Sequence, residues 1–267
     1  MVKFAANLSM LYPDLDFLDR FDAAAGDGLR AVEFLFPYDY EAAELRRRLD
    51  HNGLSQALFN APPGDWDAGE RGVASLPGRE REFRDGLERA LEYAQLLSCP
   101  RVHVMAGNVP ETAERSDYLG RYRDQLAWAA DRAAGTGVRL LLEPLNHRDM
   151  PGYLLTSQSE AHALVSDIDP INLAVQLDLY HCQITEGDLT TTIERDVTSN
   201  SVAHIQIASV PDRSEPDHGE VDFVHILAFL DRLDYAGAVG LEYRPAADTS
   251  EGLQRFFTTI RERGVSV

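Results

Sequence analysis

Lysine is almost missing from this chain. Of its 25 basic residues only Lys3 is a lysine, and the rest are arginine. Against them stand 44 acidic residues and a net charge of −19. Such a charge argues against a phosphate-backbone ligand, since an acidic surface repels a polyanion. The acidic excess reads either as adaptation to high salt or as the signature of a GC-rich genome. In both cases it describes a solvated acidic surface. Cysteine is scarce too: Cys99 and Cys182 stand outside any CxxC spacing. That excludes a disulfide framework and a thiolate metal site, and it fits a reduced, cytoplasmic setting. No apolar run reaches membrane-spanning length, and Met1-Val-Lys-Phe-Ala-Ala-Asn is not a signal peptide. The GxGxxG of dinucleotide-binding folds is absent after the first strand, and no GxSxG nucleophile elbow occurs.

What is present is a regular alternation. Strands are expected at Lys3–Leu8, Ala31–Phe36, Leu54–Phe59, Arg101–Met105, about 138–143, Leu173–Asp178, Val202–Gln206 and Val239–Glu242. Helical patterns separate them at Asp14–Ala25, Tyr40–His51, Arg79–Leu97, Tyr118–Ala134, Ser157–Ser166, Leu189–Val197, Phe223–Leu233 and Leu253–Arg263. Asn52-Gly53 stops the second helix and Ser157 is placed to cap the fifth. Eight such units in 267 residues fit a (β/α)8 TIM barrel, which takes about 250. A single domain over residues 1–267 is expected. The long Gly-, Pro- and Trp-containing loop from Asn60 to about Gly78 reads as a lid.

The residues that carry chemistry lie in the second half. Val138-Arg-Leu-Leu-Leu-Glu-Pro is a buried run that ends in Glu143, and Pro144 cannot continue a sheet ladder. The design recurs: Leu173–Asp178 ends in an acid, Val202–Gln206 in an amide and Val239–Glu242 in an acid. Their separations match one βα unit of about 30 residues, so four consecutive units deliver four oxygen ligands to one rim. One acid in one loop is ordinary. Four in register are not. Three carboxylates and an amide oxygen form a hard, all-oxygen set that suits Mg²⁺ or Mn²⁺ better than zinc. His181, three residues past Asp178, is placed to face a ligand. Arg213, in the loop after Gln206, is placed to clamp a carboxylate, with Arg71 in the lid-like loop as its competitor. His147, His204 and His225 read as structural or surface residues.

At these residues the sequence resembles the hydroxypyruvate isomerase family, including the 2-oxo-tetronate isomerases, within the xylose-isomerase-like barrels. The resemblance covers essentially the whole chain. Its most specific pieces are Ala61-Pro-Pro-Gly-Asp-Trp-Asp-Ala-Gly-Glu-Arg-Gly72, Asp149-Met-Pro-Gly-Tyr153 and Glu186-Gly-Asp-Leu189. Leu142-Glu-Pro-Leu-Asn146 and His204-Ile-Gln-Ile-Ala208 add to them. The chain departs from the family after the seventh strand, where Ser209 replaces the usual acid or glycine and Pro211-Asp-Arg-Ser-Glu-Pro216 replaces Pro-Gly-Arg-His-Glu-Pro.

The resemblance implies that Glu143 and Glu242 act as acid and base and bind metal together with Asp178 and Gln206. The implied reaction is an aldose–ketose type shift on a short 2-oxo acid, hydroxypyruvate to tartronate semialdehyde, with a small-molecule sugar acid as the partner. Competing readings are a 2-oxo-tetronate isomerase, an epimerase acting on a longer ketose, an apurinic-site endonuclease and a catalytically idle sugar-acid binding protein. The endonuclease would need more histidine ligands and a basic groove. The idle binder would not need all four rim ligands. Neither membrane nor nucleic acid is an expected partner, and a homo-oligomer is left open.

Overall fold

Eight short, largely apolar strands close on themselves in a computed structural model that describes residues 2–265. They are β1 (Lys3–Asn7), β2 (Ala31–Glu33), β3 (Ser55–Asn60), β4 (Arg101–His103), β5 (Arg139–Leu142), β6 (Leu173–Asp178), β7 (Val202–Ile207) and β8 (Ala238–Leu241). All neighbours pair in parallel and β8 returns to β1, with Phe4 opposite Val239. The expected (β/α)8 barrel is the observed one. Closure leaves no free sheet edge.

The outer ring comprises α1 (Arg20–Gly26), α2 (Ala42–Asn52), α3 (Glu80–Leu97), α4 (Arg115–Ala133), α5 (Gln158–Ile168), α6 (Leu179–Thr185), α7 (Leu189–Thr198), α8 (Phe223–Arg232) and α9 (Thr249–Glu262). Two expected stops hold. Gly53 takes the left-handed conformation after α2, at φ 60°, and the Ser157 side chain accepts the Glu160 N–H at the start of α5. Helix α6 was not expected: its seven residues lie where a loop was read between β6 and α7. It forms because Asp178, the last residue of β6, caps it by accepting the Tyr180 N–H at 2.8 Å. The second strand is shorter than read, since the ladder stops at Glu33.

The main core lies between strands and helices, with Phe21, Phe34, Phe59, Phe223 and Phe256 fully buried there. The barrel interior is a different place. Bulky branched residues usually fill such barrels in layers. Here two small clusters stand apart from the main core, Ala5 with Ala31 and Ala57, and Leu58 with Leu141 and Ala174. Buried polar residues take the remaining interior positions: Asn7, Glu33, Gln176, His204 and Gln206. Small residues at one end and polar ones at the other make the carboxyl-terminal half of the barrel a place for chemistry.

Candidate active site

Glu143 and Glu242 each come one residue after a strand, β5 and β8, while Asp178 ends β6 and Gln206 lies opposite it on β7. All four side chains are buried, none more than 5% exposed. Glu143, Gln206 and Glu242 line a small pocket of about 110 Å³ at the carboxyl-terminal mouth, together with His103, His181 and Arg213. A larger cavity of about 550 Å³ opens at the opposite mouth, where Lys3, Arg30, Arg101 and Arg261 surround Ala31 and Ala57. Its one carboxylate, Asp27, already accepts the hydroxyls of Tyr12 and Ser250. The acids therefore make the smaller pocket the candidate active site.

Burial raises the pKa of Glu143 well above the usual carboxylate range, and the nearby Glu242 and Asp178 raise it further. Burial likewise pushes Glu242 up to about 8, while Arg213 pulls it back and Asp178 pushes in the same direction as burial. Asp178 is raised by burial against the opposing pull of Arg213 and the Tyr180 N–H. Three clustered carboxyls that resist ionisation are the arrangement a cation relieves. Glu143 Oε1 is buried and has no hydrogen-bond partner. Glu143 and Asp178 thus suit a hard divalent ion, while Glu242, held by Arg213 and Asn7, lies outside the group of mutually close ligand atoms. Among the described residues, ligand atoms of Glu143, Asp178 and His181 all lie within 4.8 Å of one another.

His181 is placed by its own hydrogen bonds. Its Nδ1 accepts the backbone N–H of Asn146 at 3.0 Å, with the Asn146 side-chain amide 2.7 Å from the same atom. Burial and the neighbouring Arg213 lower its pKa well below the ordinary imidazole value, so it is neutral. A neutral ring accepting at Nδ1 carries its proton on Nε2, which lies 3.6 Å from Asp178 Oδ2. It therefore presents an N–H to the pocket rather than a lone pair.

Arg213 reaches into the acid cluster. Its Nη2 donates to Glu242 Oε2 at 2.8 Å and lies 3.5 Å from Asp178 Oδ2, and its guanidinium sits 4.8 Å from the Tyr180 ring centroid. The backbone there is in the left-handed region, φ 53°. Ser209 holds the turn: its Oγ accepts the Ser214 N–H at 3.0 Å and its carbonyl accepts the Arg213 N–H at 2.9 Å. The serine that departs from the family pattern is thus the residue that ties this loop. Arg71 is elsewhere. It donates to the Trp66 and Glu70 carbonyls and packs 3.7 Å above the Trp66 ring. Trp66 itself lines the pocket, so the 60–78 loop covers the mouth through its tryptophan.

Sequence reasoning left several site residues without a role. His103 lies 3.4 Å from Glu143 Oε2 through Nδ1, and burial pushes its pKa down to about 3. Asn7 donates to Glu242 Oε1 at 3.0 Å. Gln176 and Glu33 also line the pocket. A signal existed for Gln176: two residues before Asp178 on a strand, it shares that residue's face. His204, read as structural or surface, is fully buried on Glu33, whereas His147 and His225 are exposed.

Comparison with known proteins agrees with this layout. Residues 21–260 match the family model of the xylose isomerase-like TIM barrel. The chain belongs to that family. Within it, the chain is 56% identical over 253 residues to a 2-oxo-tetronate isomerase of Cupriavidus necator, covering 95% of this chain and 96% of that one. It is 42% identical over 254 residues to the hydroxypyruvate isomerase of Escherichia coli, covering 95% and 98%. This xylose isomerase-like barrel is therefore an enzyme, an isomerase of the hydroxypyruvate isomerase type. A crystal structure titled AP endonuclease, family 2, from Brucella melitensis superposes with a TM-score of 0.93 at 47% identity, covering 97% of this chain and 99% of that one.

Proposed function

We propose that the enzyme moves a carbonyl between C2 and C3 of a short 2-oxo-3-hydroxy acid, with 2-oxo-tetronate as the substrate. Hydroxypyruvate, converted to tartronate semialdehyde, is the second reading. The observation that carries the reaction type is the pair Glu143 and Glu242, both buried and both lining a pocket of about 110 Å³. So small a pocket suits an acid of three or four carbons better than a hexose. The identity to 2-oxo-tetronate isomerases, 44–56% against 42% to the hydroxypyruvate isomerase, ranks that substrate first. The net charge of −19 opposes an endonuclease reading.

In this reading one glutamate takes the proton from C3 and the other delivers a proton to C2, through an enediol intermediate. Two buried carboxylates on the wall of one small pocket suit the two halves of that exchange. Arg213 holds the substrate carboxylate, and His181 donates its Nε2–H to a substrate oxygen. Glu143, Asp178, Gln206 and Glu242 would hold Mg²⁺ or Mn²⁺. That ion would act as a Lewis acid, polarising the carbonyl and countering charge on its oxygen. Trp66 and the 60–78 loop keep water from the intermediate.

The test is proton NMR in D₂O with each acid in turn. Conversion of 2-oxo-tetronate with deuterium appearing at the carbon that becomes C–H supports the reading. Turnover of hydroxypyruvate with at least tenfold higher kcat/KM would reverse the substrate order. Turnover of neither would overturn the assignment.

A further inference from the structure

Glu33 is a buried acid for which the proposed reaction has no use. It is 1% exposed on β2 and lies outside the group of mutually close acid and histidine ligand atoms. Three side chains converge on it, Asn7 from the neighbouring β1 and Gln206 and His204 from β7 across the barrel. Oε1 accepts from Gln206 Nε2 at 2.7 Å and from Asn7 Nδ2 at 3.3 Å, while His204 Nε2 lies 2.6 Å from Oε2. The barrel makes room for this carboxylate on the opposite side: a Cβ at Gly240 would sit 2.5 Å from both of its oxygens.

The network has a direction. Asn7 Oδ1 accepts the backbone N–H of Ser9 at 3.0 Å, which turns the Asn7 NH₂ toward Glu33 and Glu242. A carboxylate has only acceptors to offer. Gln206 must therefore turn its NH₂ to Glu33 and its oxygen away. That oxygen in turn accepts from Gln176 Nε2 at 2.6 Å, and Gln176 Oε1, in the wall of the same pocket, is left without a partner. A glutamine can serve a cation only through its oxygen, and its two ends have nearly the same shape. Something has to decide which end faces the acids.

We propose that Glu33 is a positioning residue that fixes the Gln206 amide, holding its NH₂ so that the oxygen, one of whose lone pairs takes the Gln176 N–H, is the end with a lone pair to offer a divalent cation. The inference rests on the proposed metal set and deepens it. Glu33 does not touch the cation. It removes the amide rotamer that would present two N–H groups to it, the kind of orienting contact that outer partners of metal ligands supply.

The experiment is a double-mutant cycle on Mn²⁺ affinity, measured by titration calorimetry or electron paramagnetic resonance on the full chain without substrate. Glu33→Gln keeps the shape and can offer either end of its own amide, so both Gln206 rotamers become available. The expected result is Mn²⁺ binding weakened about 10- to 100-fold, with the melting temperature within a few degrees of the parent. The second arm repeats Glu33→Gln in a Gln206→Glu background, where both ends of residue 206 are oxygens. There the loss should vanish or reverse, since removing Glu33 also removes a repulsion between two carboxylates. An equal loss in both backgrounds would mean that Glu33 acts by charge alone, and the inference would fall while the metal set stood. The same holds if Glu33→Gln binds Mn²⁺ like the parent. If the parent binds no Mn²⁺, the proposed metal set fails and this inference fails with it.

Discussion

Arg213 Nη2 sits 2.8 Å from Glu242 Oε2 and 3.5 Å from Asp178 Oδ2, so one guanidinium touches two of the acids proposed to carry the chemistry. Burial disfavours its charge, yet Glu242, Asp178 and Glu143 outweigh that and hold it firmly protonated. A residue so placed can face a substrate carboxylate only while its other edge stays on the acids. The planar five-donor fork offers an edge to each, whereas an ammonium is a compact point charge with no bidentate edge.

Arg213→Lys should therefore raise KM for the 2-oxo acid about 10- to 100-fold, the worth of one charge-assisted hydrogen bond. Arg71→Lys should change KM by less than about twofold, because Arg71 is spent on Trp66 and on backbone carbonyls. Steady-state kinetics of both variants at two salt concentrations checks this. The clamp belongs to the 60–78 loop if the two effects are exchanged.

Glu143→Gln and Glu242→Gln should each lower kcat by about 10²-fold or more, the scale of general acid–base catalysis. Glu143→Gln should not lower the melting temperature of the metal-free protein, since it removes a buried acid that resists ionisation, whereas Glu242→Gln also takes away the carboxylate that Arg213 Nη2 donates to and should lower it. Near-parental turnover in either variant would remove it from the acid–base pair.

Metal removal should change how stability responds to pH. In the metal-free protein the pKa of Glu242, about 8, lies above that of an unfolded glutamate. Between those values the native state binds more protons than the unfolded state, so stability falls as pH rises toward 8. Melting temperatures of chelated enzyme should drop over that window, and Mg²⁺ or Mn²⁺ should recover most at its alkaline end, along with activity. A flat chelated profile that added metal does not shift would exclude a cation relieving these carboxyls.

Gly240→Ala should be more harmful than an alanine inside a strand usually is. Its Cβ would meet both Glu33 oxygens at 2.5 Å and Gln206 Cγ at 2.8 Å. The backbone there is ordinary strand, so the cost, about 1–3 kcal/mol, is one of overpacking and not of φ. Chemical denaturation measures it.

The fold was readable because periodicity is a local property: each strand ends where an apolar run meets a polar or breaking residue, as Leu142-Glu143-Pro144 does. The rim residues Glu143, Asp178, Gln206 and Glu242 were readable for the same reason. The parts of Asn7, Glu33, His103 and Gln176 depend on residues of other strands, which local periodicity does not bring together; Glu33 and Gln206 are 173 positions apart in sequence. Helix α6 is not legible because its seven residues are too few to show a helical period. Arg213 was placed correctly in its loop, but that its guanidinium would lie on Glu242 depends on a turn tied by Ser209, which no spacing reveals.

The single lysine has a practical consequence. Lys3 is exposed at the start of β1 and lines the cavity at the mouth opposite the acids. A reagent selective for side-chain amines has one target in this chain. A dye, a tether or a bead attached there would hold the enzyme by the base of its barrel. The carboxyl-terminal mouth would face outward, and every immobilised molecule would share one orientation.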